Sequence, residues 1–456
     1  MSSWPHPRRA GAWRLTILAL VGTGLVSLSA RAASSKLQAV GETTFGVTDN
    51  AQSAPDEPLP GGAEKTAGAF LVLRPGLTFG VSSLRNVQRL TYTFDYDLYF
   101  TRTTSSSSSN RLEYRGFFDL APTVDATLGA SATESDSYAT LTLAAPGSGL
   151  LPLLPTGNGR LFQAEADELL NVQASVGWRG WEQGGVIFGT PLFGAVAPKT
   201  LSPNGRVGLE YAWEGAALGA EARATYAIVR DAVRPDGTTV SLDRKLTLGG
   251  VALGRHDLGR YFTSRVEAGA LMIRSLERRE SRWYPVATAT LGYADTAGDA
   301  TLGYSHGVTT NVLIGQTLVF DEVRLRGGVA LDRKATFLLA SSAGYQRGSL
   351  VDETSELGAN VSILLLDATF GWKVEPWLLL GVRAQHIDQR SDVRVASLPV
   401  SFVQNSVMLG AVVRFPPDAE GPASYRAPTR VDRSDELRGV GATGTEIIAA
   451  PTGRAR

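Results

Sequence analysis

The stretch that decides the fold is NSVMLGAVVRF, residues 405–415. Val407, Leu409, Ala411, Val413 and Phe415 fall on one face of a strand; Ser406, Met408, Gly410, Val412 and Arg414 fall on the other. Successive side chains of a strand point to opposite sides, so this division follows from parity alone. The first face is wholly apolar and ends on an aromatic ring. The second carries a charge and a glycine. A strand greasy on one side and wet on the other, closing on Phe, suits the last stave of a transmembrane β-barrel. A sandwich strand can show the same alternation, so the argument rests on its recurrence.

It recurs. Residues 87–100 put Leu90, Tyr92, Phe94, Tyr96, Leu98 and Phe100 on one face and Arg89, Thr91, Thr93, Asp95 and Asp97 on the other. An unbroken apolar face of that length matches the apolar band of an outer-membrane barrel and is unusual for a soluble strand. Leu112, Tyr114, Phe118 and Leu120 oppose Glu113, Arg115 and Asp119. Leu170, Val172, Ala174, Val176 and Trp178 read as one further strand, and Val207, Leu209, Tyr211 and Trp213 face away from Arg206, Glu210 and Glu214. Ala220, Ala222, Ala224 and Tyr226 oppose Glu221 and Arg223, and Val266 and Ala268 oppose Arg265 and Glu267. Val323, Leu325 and Val329 oppose Arg324 and Arg326, and Val382 and Ala384 oppose Arg383. The period is two throughout, so the chain is all-β. Between Leu364 and Leu366 the apolar parity slips, which predicts a bulge there.

Connections alternate in length. Residues 121–123, 182–185, 215, 295–298 and 375–376 read as short turns; 49–66, the serines at 105–109, 135–168, 231–239 and 348–356 read as longer loops. Short turns on the periplasmic side and long loops outside are the asymmetry of a bacterial barrel, and the count comes to about 18 strands, an even number. The stretch LAAPGSGLLPLLP in the 135–168 loop is an apolar patch that reads either as a constriction folded into the mouth or as a flexible outer loop.

Totals agree. The 456 residues carry 44 Lys and Arg against 44 Asp and Glu, so there is no basic excess for nucleic acid. With no Cys, thiol catalysis, disulfides and Cys metal sites are excluded. Residues 1–32 read as a secretory signal: Arg8, Arg9 and Arg14, then an apolar run from Leu15 to Leu28, then Ala30-Arg31-Ala32. No later apolar run is long enough to span as a helix. The barrel is expected over 33–415, and residues 416–456, rich in Pro, Gly, Ala, Arg and Asp, read as a disordered periplasmic tail.

Enzymatic chemistry is not expected. His6, His256, His306 and His386 share no metal-ligand spacing, and Ser305-His306 is the one close pair that could serve a rim hydrolase. No catalytic, cofactor or metal site is assigned. The lumen is left as the functional element, with lining candidates Arg89, Asp95, Asp97, Glu113, Arg115, Arg206, Glu210, Glu221, Arg223, Arg265, Glu267, Arg324, Arg326 and Arg383. Their mixed signs suit a wet path for a neutral or weakly charged polar solute.

The chain resembles outer-membrane barrels associated with exopolysaccharide export, of myxobacterial type, in GVTDNAQ (46–52), LGYSHGVTTN (302–311), GVRAQHIDQR (381–390) and QNSVMLGAVVRFP (404–416). Val407, Leu409, Ala411, Val413 and Phe415 also look like the terminal signal that the barrel-assembly machinery of a Gram-negative outer membrane reads. The resemblance implies an outer-membrane exit for a polysaccharide, working with a periplasmic export protein. The alternative is a general diffusion porin for small polar solutes. A barrel-rim hydrolase is the third reading.

Overall fold

The computed structural model describes residues 34–51, 56, 65–83, 85–100, 106–135, 160–193, 199–233, 239–277, 279–295, 297–311, 316–351, 359–391 and 401–416. The expected signal (1–32), the LAAPGSGLLPLLP patch and the expected tail beyond Pro416 lie outside them.

The strands in chain order are β1 (Ser34–Thr48), β2 (Gly68–Ser82), β3 (Asn86–Tyr99), β4 (Ser107–Ala121), β5 (Val124–Ser135) and β6 (Arg160–Gln173). Next come β7 (Trp178–Phe193), β8 (Lys199–Trp213), β9 (Ala216–Val233), β10 (Thr239–Leu258), β11 (Phe262–Ser275) and β12 (Ser281–Ala294). The remainder are β13 (Gly298–Asn311), β14 (Gln316–Ala330), β15 (Phe337–Val351), β16 (Ala359–Glu375), β17 (Leu378–Ser391) and β18 (Phe402–Phe415). They form one 18-stranded sheet in which each strand pairs antiparallel with the next and β1 also pairs with β18. That last ladder runs from Ala39↔Phe415 to Thr48↔Ser406 and closes the barrel. Closure leaves no edge strand with unpaired backbone groups, the condition for a sheet to sit in hydrocarbon.

Burial is reversed relative to a soluble protein. Leu37, Phe45, Leu77, Leu218, Val266, Leu409 and Phe415 are exposed, while Gln38, Glu42, Glu221, Lys245, Gln346 and Gln389 are buried. Along β1 the alternation is direct: Gln38, Glu42, Thr44 and Thr48 are buried between exposed Leu37, Thr43, Phe45 and Val47. A sheet with its apolar face to the surroundings and its polar face enclosed is stable only where the surroundings are themselves apolar. The barrel is therefore a membrane-spanning one.

Both chain ends of the barrel and the connections 83–85, 122–123, 174–177, 214–215, 259–261, 295–297, 331–336 and 376–377 lie at one end. The strand ends that lead into the longer connections, among them Thr48, Ser135 and Ser391, lie at the other. The short-turn end carries an aromatic row facing outward. Trp178 packs on Tyr211 at 5.1 Å between ring centroids, Phe262 on Tyr293 at 5.1 Å, and Phe337 on Trp372 at 6.3 Å. Rings with a polar edge are favoured where hydrocarbon meets water.

Several boundaries differ from the sequence reading: Ser107–Ser109, Asp231–Val233 and Gly348–Val351, read as loop, belong to β4, β9 and β15. Residues 170–178 are not one strand: β6 ends at Gln173, and Gly177, at φ +86°, turns the chain into β7. Only glycine takes that conformation without strain. The turn was hidden because Leu170, Val172 and Trp178 share one parity across it. Residues 182–185 are not a turn, although two glycines beside a charge suggested one. Glu182 pairs with Leu170 and Val207, and Gly184 with Glu168 and Gly205, in mid-strand. The 135–168 connection is shorter than expected, since β6 begins at Arg160 and takes in the charged residues read as loop. No bulge occurs at Leu364–Leu366. The register against β17 is unbroken from Val361 to Lys373, and the irregularity lies at Lys373/Glu375. The parity looked broken because Val361 and Ile363 are buried on the inner face while Leu364 and Leu366 take the outer one.

The turn 331–336 is held by Asp332, whose carboxylate accepts from the Thr336 N–H at 2.7 Å and the Phe337 N–H at 3.0 Å. The backbone N–H of Phe337, with the donors of Thr336 and Lys334, holds this carboxyl below its usual value of 3.8. A depressed carboxyl contributes above its unfolded pKa and ceases to as the pH falls through the folded one. The amides of Thr336 and Phe337 are thus expected to exchange faster with solvent in Asp332→Ala than in the parent at pH 7, with the difference closing as the pH falls below 3.8 through the lowered folded-state value. Equal protection at pH 7 would show that the carboxylate does not hold the turn.

Candidate functional site

The inner wall is the candidate site. Every inward position follows from the ladder. Arg89 pairs with Gly80 and Arg115, Asp95 with Ser109, Asp97 with Val72 and Ser107, and Glu113 with Thr91. Arg206 pairs with Arg223, Glu210 with Arg179 and Gly219, and Glu221 with Gly208 and Val251. Arg265 pairs with Arg255 and Glu267 with Leu253; Arg324 and Arg326 pair with Gly303 and Thr301, and Arg383 with Thr369 and Met408. All fourteen stand on the face opposite the exposed apolar one.

Twelve of them fall in three charged groups. In the first, Arg74 of β2 donates to Glu42 at 3.0 Å and to Asp95 at 2.6 Å, while Ser109 and Ser107 donate to Asp95 and Asp97 at 3.3 and 3.0 Å. Close by, Arg115 pairs with Glu113 at 3.2 Å and Asp167 at 3.5 Å, and Arg111 with Glu113 at 3.0 Å. Arg89 is exposed, with no ion pair among the described residues.

The second group centres on Glu221, a buried carboxylate on β9. It accepts from the Arg223 guanidinium at 2.5 Å and the Trp181 indole N–H at 2.9 Å, and pairs with Arg206 at 3.7 Å. Arg223 continues to Glu267 at 2.7 Å, which also meets Arg265 at 2.9 Å. Arg206 also donates to the Gln183 carbonyl oxygen at 2.6 Å, and Arg179 pairs with Glu210 at 3.4 Å. The Trp181 ring stands against Gly208, occupying the space any Cβ there would need. One hydrogen-bonded row, Trp181–Gly208–Glu221–Val251–Gly269–Val286, thus crosses six strands. Its far half is apolar: Val251, Leu253, Leu271 and Val286 pack together, with Trp181 against them. The third group pairs Glu322 with Arg324 and Asp367 with Arg383, each at 2.5 Å.

Every carboxylate named here except Asp97, which the Ser107 hydroxyl meets, faces a guanidinium, so opposed charges line a common surface. Glu42, Arg74, Arg111, Asp167 and Trp181 were not among the residues singled out from the sequence. Arg74 sits in a strand whose parity was not followed, Asp167 in a segment read as loop, and Trp181 beside a turn that does not exist.

The terminal-strand residues face outward: Val407, Leu409, Val413 and Phe415 are exposed, and Ala411 pairs with Thr43 and Leu380 in the same outer row. Ser305 and His306 stand on opposite faces, Ser305 beside inward Glu322 and His306 beside outward Asp321. His306 Nδ1 lies 2.9 Å from Asp321, to which Tyr304 also donates at 2.8 Å, so this histidine is held at the outer surface away from the serine. Among the described residues no three His, Cys, Asp or Glu side chains are placed to hold a metal.

The chain matches no family model and no curated protein sequence. Solved structures do align with it. The Pseudomonas aeruginosa protein OccK9 (OpdG) is 12% identical over 84% of this chain and 98% of its own, with a TM-score of 0.45. OccK2 (OpdF) of the same organism, solved in complex with glucuronate, is 12% identical over 84% and 98%, with a TM-score of 0.44. The Pseudomonas aeruginosa outer membrane protein opdK is 11% identical over 84% and 99%, with a TM-score of 0.43. The fold stands on the strand ladder of this chain and not on these likenesses.

Proposed function

We propose that the protein is an outer-membrane channel through which small polar solutes diffuse. The observation that carries this reading is the enclosed face of a closed 18-stranded sheet, lined from β1 to β17 by paired charges. A wall of that kind lets water and polar solutes replace each other's hydrogen bonds, while the exposed outer face anchors the barrel in lipid. The polymer-exit reading has no observation of its own in the structure, so diffusion of small solutes is adopted in its place. Ser305 and His306, the pair considered for a rim hydrolase, stand on opposite faces of β13.

The test is reconstitution of the full chain. Liposomes containing it are expected to swell in isosmotic arabinose and more slowly in larger sugars, and planar bilayers to show steady conductance in potassium chloride without any second protein. Tight liposomes together with silent bilayers would overturn the reading. Weak anion/cation selectivity is expected from the matched charges, and a strongly selective pore would show that the inner-wall assignment omits a dominant charge.

A further inference from the structure

On one side of the barrel the apolar outer face ends in cations. The outward side chains of β8 run from Trp213 at the short-turn end through Leu209 and Val207 to Leu201, and the next outward residue is Lys199. On β9 the outward row runs from Leu218 to Ile228 and then meets Arg230. On β10 it runs from Leu258 to Leu246 and then meets Arg244, and on β11 from Phe262 to Met272 and then Arg274. Each cation stands about a dozen residues from the short-turn end of its strand, a rise of about 30 Å at the tilt of such strands and so the thickness of one hydrocarbon core. The four thus lie at one height, where acyl chains give way to headgroups.

Lys199 and Arg230 are both exposed and stand directly opposite each other on the ladder, where like charges repel. Arg244 meets Glu277 at 2.6 Å. Arg230 and Arg274, both exposed, have no ion pair among the described residues, and so leave their charge for the surroundings to balance. The far side of the barrel differs. Outward Arg347 pairs across the ladder with Asp321, and Arg390 meets Asp388 at 2.6 Å and Asp56 at 3.6 Å. The outward cations there are answered by carboxylates of the chain itself.

We propose that Lys199, Arg230, Arg244 and Arg274 form a ridge that binds the phosphate groups of lipid headgroups in the leaflet on the long-loop side. Position selects the occupant. The outer face below the ridge lies in hydrocarbon, so the groups beside the ridge are those of the lipids that surround the barrel. Phosphate is the anion such headgroups offer, and three of the four cations are Arg, whose planar fork takes two phosphate oxygens at once. Lys199 and Arg230, about 5 Å apart across the ladder, can hold one phosphate between them, which turns their repulsion into a shared attraction. Arg244 and Arg274 stand on the next two strands. At a strand spacing of about 4.8 Å the row is about 14 Å wide, enough for two phosphates on one headgroup. This binding is independent of conduction, and the bilayer result can stand whichever way it falls.

The test titrates the full chain in mild detergent with lipid A, a glycolipid carrying two phosphates, with lipid A stripped of both phosphates, and with inorganic phosphate. Native mass spectra of the parent are expected to retain lipid A and to lose the stripped form. Lipid A alone is expected to raise the temperature at which the heat-modifiable barrel unfolds. Each cation removed should weaken lipid A binding about fivefold, so Arg230→Gln combined with Arg274→Gln should weaken it at least tenfold. Arg347→Gln removes an outward cation that Asp321 already answers and should leave binding at the parent level. Should the double variant fail to assemble, Arg230→Gln alone decides, with the fivefold loss expected. Equal retention of both lipid forms, a rise with inorganic phosphate equal to that with lipid A, parent-level binding in the ridge variants, or an equal loss in Arg347→Gln would each overturn the proposal.

Discussion

Leu409→Arg is expected to remove most of the assembled barrel from the membrane, whereas Gly410→Ser leaves it close to the parent level. Leu409 is exposed in the outer row between Phe45 of β1 and Val382 of β17, in the ladder that closes the sheet. An arginine there faces hydrocarbon, at a cost of about 2–4 kcal/mol near the midplane. Val413→Arg should harm assembly less, since Val413 lies one outward step from Phe415 at the short-turn boundary, where the cost falls to about 0–1 kcal/mol. Gly410 pairs with Thr44 and Gly381 on the inner face, so a serine there meets a polar wall. The readout is heat-modifiable protein in the outer-membrane fraction. Equal losses for Leu409→Arg and Gly410→Ser would show the two faces of β18 to be reversed.

Glu221→Ala is expected to have the largest effect on the inner wall. The Glu221 side chain is 1% exposed and holds Trp181, Arg206 and Arg223 at one point. Its removal leaves two guanidinium groups and an indole N–H facing each other with one partner lost. Breaking a buried pair in this way costs on the order of 3 kcal/mol. The denaturant midpoint of the reconstituted barrel should fall accordingly. The wall also loses a negative charge, so the reversal potential in a potassium chloride gradient should move towards that of chloride. Glu221→Gln keeps an acceptor for the indole and should recover much of the stability but none of the selectivity. An unchanged midpoint and reversal potential in Glu221→Ala would remove Glu221 from the centre of the group.

Parity by itself determined the class of fold and the side on which each sequence-selected charge stands, while the alternation of short and long connections brought the count to about 18 strands. The sides are legible because a strand's side chains alternate without reference to any neighbour, and one buried face fixes the register of the whole. The eleven residues from Asn405 to Phe415 were enough to tell the outer face from the inner one, and the ladder to β1 repeats the division. Strand ends were less legible. Gly177 turns the chain at a point where apolar parity continues, and Gly184-Gly185 looks like a turn yet is held extended by pairing on both sides. A glycine's conformation is set by what it pairs with, and those partners lie on other strands. The same holds for the charges. Glu221 reads as one of many inward carboxylates, and only the lateral placing of β7, β8 and β9 brings Trp181, Arg206 and Arg223 to it. Outward Glu182 was hidden for the same reason: until the ladder placed it beside Leu170 and Val207, nothing along the chain distinguished a charge in lipid from a charge in a loop.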